Sequence, residues 1–136
     1  MAFEGKMISS IFLNMPVADL PKSIEFFTKL GFTFNPKFTN AESTCMILGD
    51  NIFTMLNIKT KFEHFIDKKV ADKSTSEMIV SLACESPEEV RRITEAALGA
   101  GARQVNDPED HGFMYSWGFE DLDGHLWDLF WMNPDN

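Results

Sequence analysis

Asp128 stands out because the run Leu126-Trp127-Asp128-Leu129-Phe130-Trp131 is otherwise apolar. A carboxylate in such a strand must find a partner, stay partly wet or give up its charge, because unpaired buried charge is costly. Asp128 is therefore the candidate general base or cation anchor of the chain. Its alternative role is structural, hydrogen-bonded to Asn14, Ser81 or an indole N–H. His111, in Asp110-His111-Gly112-Phe113-Met114-Tyr115, lies in a loop entering a strand and could shuttle a proton or contact a ligand. Tyr115 and Trp117 alternate along that strand and could stack a planar ligand, although aromatics at period two also build ordinary cores. His125 and His64 read as surface groups, and no histidine spacing resembles a zinc site. Gly99-Ala100-Gly101 follows a helix instead of opening one, so it lacks the free N–H groups that hold phosphate. No serine nucleophile elbow is present.

The elements that must position these groups read as two similar halves. Ile8 to Val17 is strand-like; Asp19 then caps a helix with Pro21 in its first turn, a stripe of Ile24, Phe27 and Leu30, and Gly31 as its stop. Strands follow at Thr33–Phe38, Ser43–Leu48 and Asn51–Asn57, the last two joined by the reversal Gly49-Asp50-Asn51. The polar segment 59–73, with Phe62, Phe65 and Ile66 embedded, reads as a short linker helix. The second half opens with a strand from Glu77 to Cys84. Ser86, Pro87 and Glu89 then form a capping box for a helix that buries Val90, Ile93, Ala97 and Leu98. Strands at Arg103–Asn106, Phe113–Glu120 and His125–Trp131 complete it. Asp123-Gly124 is expected to close a two-residue hairpin of type I′. Each half is thus strand, helix and three strands, repeating at roughly 70 residues. Neither half can bury both faces of its sheet alone, so the expected arrangement is two sheets curved toward a common cleft that holds a ligand.

Composition narrows the partners. The chain has 136 residues, and a formal net charge of −9 disfavours nucleic-acid backbones and anionic membrane surfaces, which both select clustered Lys and Arg. That charge suits a neutral or cationic small molecule. No apolar run approaches the ~20 residues of a membrane span, and the opening residues show no signal-peptide pattern. Cys45 and Cys84 are far apart, outside metal spacing and inside apolar strand-like runs, which points to free thiols in a reducing cytoplasm.

The order Val17-Ala18-Asp19-Leu20-Pro21-Lys22-Ser23-Ile24-Glu25-Phe26-Phe27, followed by Leu30-Gly31-Phe32, resembles the vicinal oxygen chelate superfamily. That superfamily includes glyoxalase I, bleomycin- and fosfomycin-resistance proteins and extradiol dioxygenases. Phe27 replaces the family's usual Tyr, and the late signature appears as Asp121-Leu122-Asp123-Gly124-His125-Leu126-Trp127-Asp128. The resemblance covers nearly the whole chain. It implies an α+β fold of two βαβββ modules packed into a curved mixed sheet enclosing a cleft, in one domain spanning 1–136 with modules at 8–57 and 76–132 around the linker helix 59–73.

Metal-using members place four ligands, typically His, Glu or Gln, on the two sheets. Matched by position, these fall at or near Phe12, at Phe53 or Met55, at or near Ile79, and at Asp128. Only Asp128 keeps an acid, so the resemblance implies no metal site and no cofactor unless Asn14 or Ser81 helps bind a divalent ion. Period-two facing adds Leu126 and Phe130 to the Asp128 side, with Trp127, Leu129 and Trp131 pointing toward the helices. By the same matching, Phe12 and Asn14 face inward, as do Ile79 and Ser81. The expected function is small-molecule binding of the glyoxalase/bleomycin-resistance type, possessing an aromatic pocket suited to a cationic or aromatic compound, and the resemblance also implies a homodimer. The alternative is a metal-dependent glyoxalase-like lyase or isomerase, or a dioxygenase relative. A mainly structural or partner-binding domain is the third reading.

Overall fold

The structure, a computed structural model, describes residues 7–135. It divides into two compact units, one comprising residues up to 22 and 32–70, the other 23–31 and 71 onward.

The first unit holds a mixed sheet in the order β1–β4–β3–β2, built from β1 (Ile11–Val17), β2 (Thr33–Asn35), β3 (Ser43–Gly49) and β4 (Ile52–Ile58). β1 runs parallel to β4, while β4–β3 and β3–β2 are antiparallel. Register pairs Leu13 with Thr54 and Met15 with Leu56, so Met15, Val17, Met46 and Leu56 share one buried face. The strand expected over Thr33–Phe38 stops at Asn35. There the Asn35 side chain accepts the Lys37 N–H at 3.0 Å and caps a single 3₁₀ turn at Pro36–Phe38, because Pro36 has no N–H to continue a ladder. The linker helix is also shorter than expected, with α2 confined to Lys59–Glu63.

Helix α1 (Leu20–Leu30) starts as expected, Asp19 Oδ1 accepting the Lys22 N–H at 3.1 Å. The stretch Ser23–Gly31 of this helix belongs to the second unit, while the chain from Phe32 to Val70 returns to the first. The cause is aromatic packing. Phe26 meets Phe119 edge-on at 6.0 Å and Phe27 meets Trp127 at 5.5 Å, all four buried.

The second sheet repeats the first in the order β5–β9–β8–β6: β5 (Ile79–Ala83), β6 (Arg103–Gln104), β8 (Met114–Glu120) and β9 (Leu126–Met132). A short additional strand, β7 (Glu109–Asp110), pairs with β8 and was not expected. Helix α3 (Pro87–Gly99) connects β5 to β6 and buries Val90, Ile93, Thr94 and Ala97. Ser86 accepts the Glu89 N–H at 3.1 Å as expected, while the Glu89 carboxylate pairs with Arg92 instead of closing the capping box. Cys45 is buried, Cys84 is half-buried, and both thiols are free. No helix among the described residues is long and apolar enough to cross a membrane.

The β8–β9 connection corrects the type I′ expectation. That turn needs positive φ at both central residues, yet here only Gly124 has it, at φ 88°. The loop is longer, and Asp121 organises it. Its Oδ1 accepts the backbone N–H groups of Asp123 (2.9 Å) and His125 (3.0 Å), and its Oδ2 accepts the Trp127 indole N–H at 2.9 Å. Gly124 is needed twice: a Cβ there would lie 2.8 Å from Lys73 Cγ and 3.0 Å from its carbonyl oxygen.

Candidate functional site

Alternation along β9 puts Leu126, Asp128 and Phe130 on one face, opposite Trp127 and Leu129, which are buried. Parallel register sets Ser81 of β5 directly beside Asp128, and Ser81 Oγ donates to Asp128 Oδ2 at 3.3 Å. On the other flank Asp128 faces Gly118 of β8. A Cβ at Gly118 would stand 2.2 Å from the Trp127 carbonyl oxygen, so only glycine lets the two backbones approach there.

Above this floor is a cavity of about 180 Å³. Ile79 and Leu126 give it apolar sides, and the segment Val105–Glu109 walls it from the β6–β7 connection. Two side chains hold that wall. The Trp117 indole donates to the Asn106 carbonyl at 3.0 Å, and Gln104 Nε2 donates to the same carbonyl and to Asp107, both at 3.2 Å. Asp107, Glu109 and Asp128 line the cavity, and no basic side chain does. Arg103, across from Glu120 in the ladder, is clamped by it at 2.9 and 3.3 Å. Desolvation pushes the Asp128 carboxyl above its ordinary value and nearby Glu109 pushes the same way, against the Ser81 hydrogen bond. The result is a carboxyl that holds its proton more readily than an exposed aspartate does.

The structure brings Asp128, Ser81, Ile79 and Leu126 together on one sheet face, and Trp117 also lines the cavity although its register partner is Leu129 of the opposite face. Phe130 shares the face without lining the cavity. His111 sits outside it, its Nε2 3.1 Å from the wall residue Glu109. Tyr115 does not join: it lies on the opposite face, 7% exposed, with the Arg91 guanidinium 5.4 Å from its ring centre. Asp107, Glu109, Asn106, Ser116 and Gly118 were not anticipated. Gly118, an isolated glycine inside a strand, was the signal available for a close backbone approach.

Asp121 was also missed, and it is the more deeply buried acid at 5% exposed. Burial raises its carboxyl above the ordinary aspartate value, opposed by His125 and by the three N–H donors it accepts. It shapes the entry into β9 and so fixes where Asp128 lies.

In the first unit Phe12 stacks on Phe53 at 4.8 Å, next to Met55 and Asn14 on the same face. The residues at the family's metal positions offer almost no donors. Phe12, Phe53 and Ile79 carry no lone pair, and Met55 offers only a weak thioether acceptor. Among the described residues no three His, Cys, Asp or Glu side chains come together to hold an ion. The donor set does not fit the family's metal.

Two mixed sheets of this strand order define the fold of the glyoxalase/bleomycin-resistance/dioxygenase proteins. A hypothetical protein from S. aureus is 28% identical, with a TM-score of 0.76 over 91% of this chain and 94% of that one. A glyoxalase-related enzyme from Fulvimarina pelagi is 18% identical, with a TM-score of 0.75 over 93% and 88%. A glyoxalase/bleomycin resistance protein/dioxygenase family enzyme from Burkholderia phytofirmans PsJN is 14% identical, with a TM-score of 0.73 over 89% and 96%. Residues 9–49 match the family model described as bleomycin resistance protein-like N-terminal. No curated protein matches the sequence. The chain thus shares the fold of these glyoxalase/bleomycin-resistance/dioxygenase structures, and its residues 9–49 are similar to the bleomycin resistance protein-like N-terminal family.

Proposed function

We propose that this protein is a metal-independent small-molecule-binding protein of the glyoxalase/bleomycin-resistance type, with the cavity over Asp128 as its site. The observation that carries the reading is the cavity's lining: Asp128 at the floor beside Ser81, two further acids in the wall, an indole edge and no basic group. Such a lining selects an organic cation with a flat or aliphatic body, because the carboxylates supply charge complementarity and Trp117, Ile79 and Leu126 supply apolar contact. The absence of oxygen and nitrogen donors at the other three family positions argues against a metal. A homodimer belongs to this reading by family likeness, and a reducing cytoplasmic location by the free thiols of Cys45 and Cys84.

Calorimetric titration with 2-phenylethylamine tests it. The expected result is saturable binding to the wild type and a loss of about tenfold or more in Asp128→Asn, the scale of one charge-assisted hydrogen bond. Equal affinity in the two proteins overturns it. The raised Asp128 carboxyl also favours a second reading, an enzyme in which Asp128 removes a proton next to a carbonyl. A turnover of α-hydroxycarbonyl compounds that disappears in Asp128→Asn supports that alternative.

A further inference from the structure

The outer wall of the Asp128 cavity is an arch, and strand register forces it to be one. On the free side of β8, Gln104 pairs with Phe119 and Glu109 pairs with Ser116. Between those pairs the outer chain has four residues, 105–108, while β8 has only Trp117 and Gly118. Two surplus residues cannot lie flat in a ladder, so the segment bows away from the sheet as an enlarged bulge. Gly118 brings no side chain to fill the space beneath, and Pro108 brings no N–H to bond back. An arch without ladder partners has no height of its own, and its crown sets it. The Asn106 carbonyl accepts the Trp117 indole N–H at 3.0 Å and Gln104 Nε2 at 3.2 Å, and the same Nε2 reaches Asp107 Oδ1 at 3.2 Å. A carbonyl and a carboxylate can only accept, so the Gln104 atom facing both is nitrogen, its two N–H groups spent one on each. Gln104 thus ties the foot of the arch to two successive crown residues.

We infer that Gln104 is a specificity-determining residue of this site: by holding the arch at one height, it restricts the cavity to cations whose body is a single ring. The inference rests on the reading of the Asp128 cavity as a site for organic cations. At about 180 Å³ the cavity is smaller than ordinary small-molecule sites, which run from about 300 Å³, and it has room for one ring on a short chain. Its floor cannot give way, because β8 and β9 pair without a break and Trp127 and Leu129 are buried beneath. The arch is the side that can move. Gln104 is not part of the lining, so it acts on the ligand only through the wall. One isosteric substitution sets this role against simple electrostatics. Gln104→Glu turns carboxylate oxygens toward two acceptors, so the tether becomes a repulsion. It also adds a negative charge beside a cation site, which by itself would tighten binding.

Two amines of equal charge test it: 2-phenylethylamine and 2,2-diphenylethylamine, which differ by one ring. Each is titrated calorimetrically into the full chain of the wild type, Gln104→Glu and Gln104→Met, the last having similar length and neither amide nor charge. The wild type is expected to prefer the one-ring amine by about tenfold or more. In both variants that preference should fall to within about threefold, and 2-phenylethylamine should bind about tenfold more weakly, the scale of one charge-assisted hydrogen bond. The Trp127 indole N–H, bonded to Asp121 away from the arch, is followed by NMR and is expected to keep its position, which shows the sheet intact. A wild type that binds both amines equally overturns the inference, as does a preference unchanged in the two variants. Tighter binding of 2-phenylethylamine by Gln104→Glu also overturns it, because charge and not the tether would then govern the site. In each of these cases the cavity still binds amines and its reading stands. A wild type that binds neither amine overturns the reading of the cavity and the inference together.

Discussion

Replacing Asp121 by Asn isolates what a buried carboxylate does for the turn that feeds β9. The amide oxygen can still accept the backbone N–H groups of Asp123 and His125. Its nitrogen then faces the Trp127 indole N–H, 2.9 Å from the oxygen it replaces, donor against donor. Rotating the amide is worse, because the nitrogen would face two backbone donors. The substitution loses one charge-assisted hydrogen bond, about 1.5–3 kcal/mol, and leaves an indole proton without an acceptor. Against this, it removes a charge whose desolvation raises the Asp121 carboxyl, so part of the loss is recovered. The expected net destabilisation at pH 7 is about 2 kcal/mol, lowering Tm by roughly 5–10 °C in a chain of this size. Urea denaturation followed by tryptophan fluorescence measures it. The pH dependence has a definite sign. A carboxyl raised in the folded state contributes stability that is fully present below the unfolded value, near 3.8, and is lost as pH rises through the folded value. The gap between wild type and Asp121→Asn should therefore narrow as pH rises through that range. An Asn variant as stable as wild type at pH 7 would refute the reasoning, because desolvation would then outweigh the lost indole hydrogen bond.

The Asp128 carboxyl is raised in the same direction, so its contribution to stability is also present at acid pH and lost as pH rises through its folded value. Asp128→Asn should remove that component from a stability curve recorded between pH 3 and 7 and leave the protein at least as stable as wild type at neutral pH; a less stable variant at pH 7 contradicts the desolvation argument. Gly118→Ala places a Cβ 2.2 Å from a backbone oxygen that no side-chain rotation can clear. An overpacking cost of roughly 2–3 kcal/mol is expected in urea denaturation, together with loss of 2-phenylethylamine binding as β8 and β9 part.

Much of the scaffold was legible because its signals are local. Asp19, Ser86 and Pro87 mark helix starts by capping chemistry, and the alternation through Leu126–Trp131 sets which side chains share a face with Asp128. Ser81 was one of three partners the sequence offered Asp128, beside Asn14 and an indole N–H, and the parallel β5–β9 register selects it. What escaped depends on contacts remote in sequence. The β7 strand is two residues long and has no periodicity to detect. The wall at Val105–Glu109 is built by the Trp117 indole and Gln104, whose reach no local pattern encodes. Asp121 carried no signal of its own between Glu120 and Leu122, and only the indole of Trp127 folding back onto it makes it the more buried acid. Tyr115 shows the reverse case: its type suggested a ligand platform, while it is buried with the Arg91 guanidinium over its ring, away from the cavity. Ile24, Phe27 and Leu30 formed a recognisable helical stripe, but Trp127, the partner of Phe27, lies about a hundred positions on.

The central claim, binding at the Asp128 cavity without a metal, is tested most directly by titrating 2-phenylethylamine into protein stripped with a chelator and into the same protein reloaded with nickel, zinc, manganese or iron. The account predicts the same affinity and one-to-one stoichiometry in every sample. Binding that vanishes on stripping and returns with one equivalent of a divalent ion would contradict it.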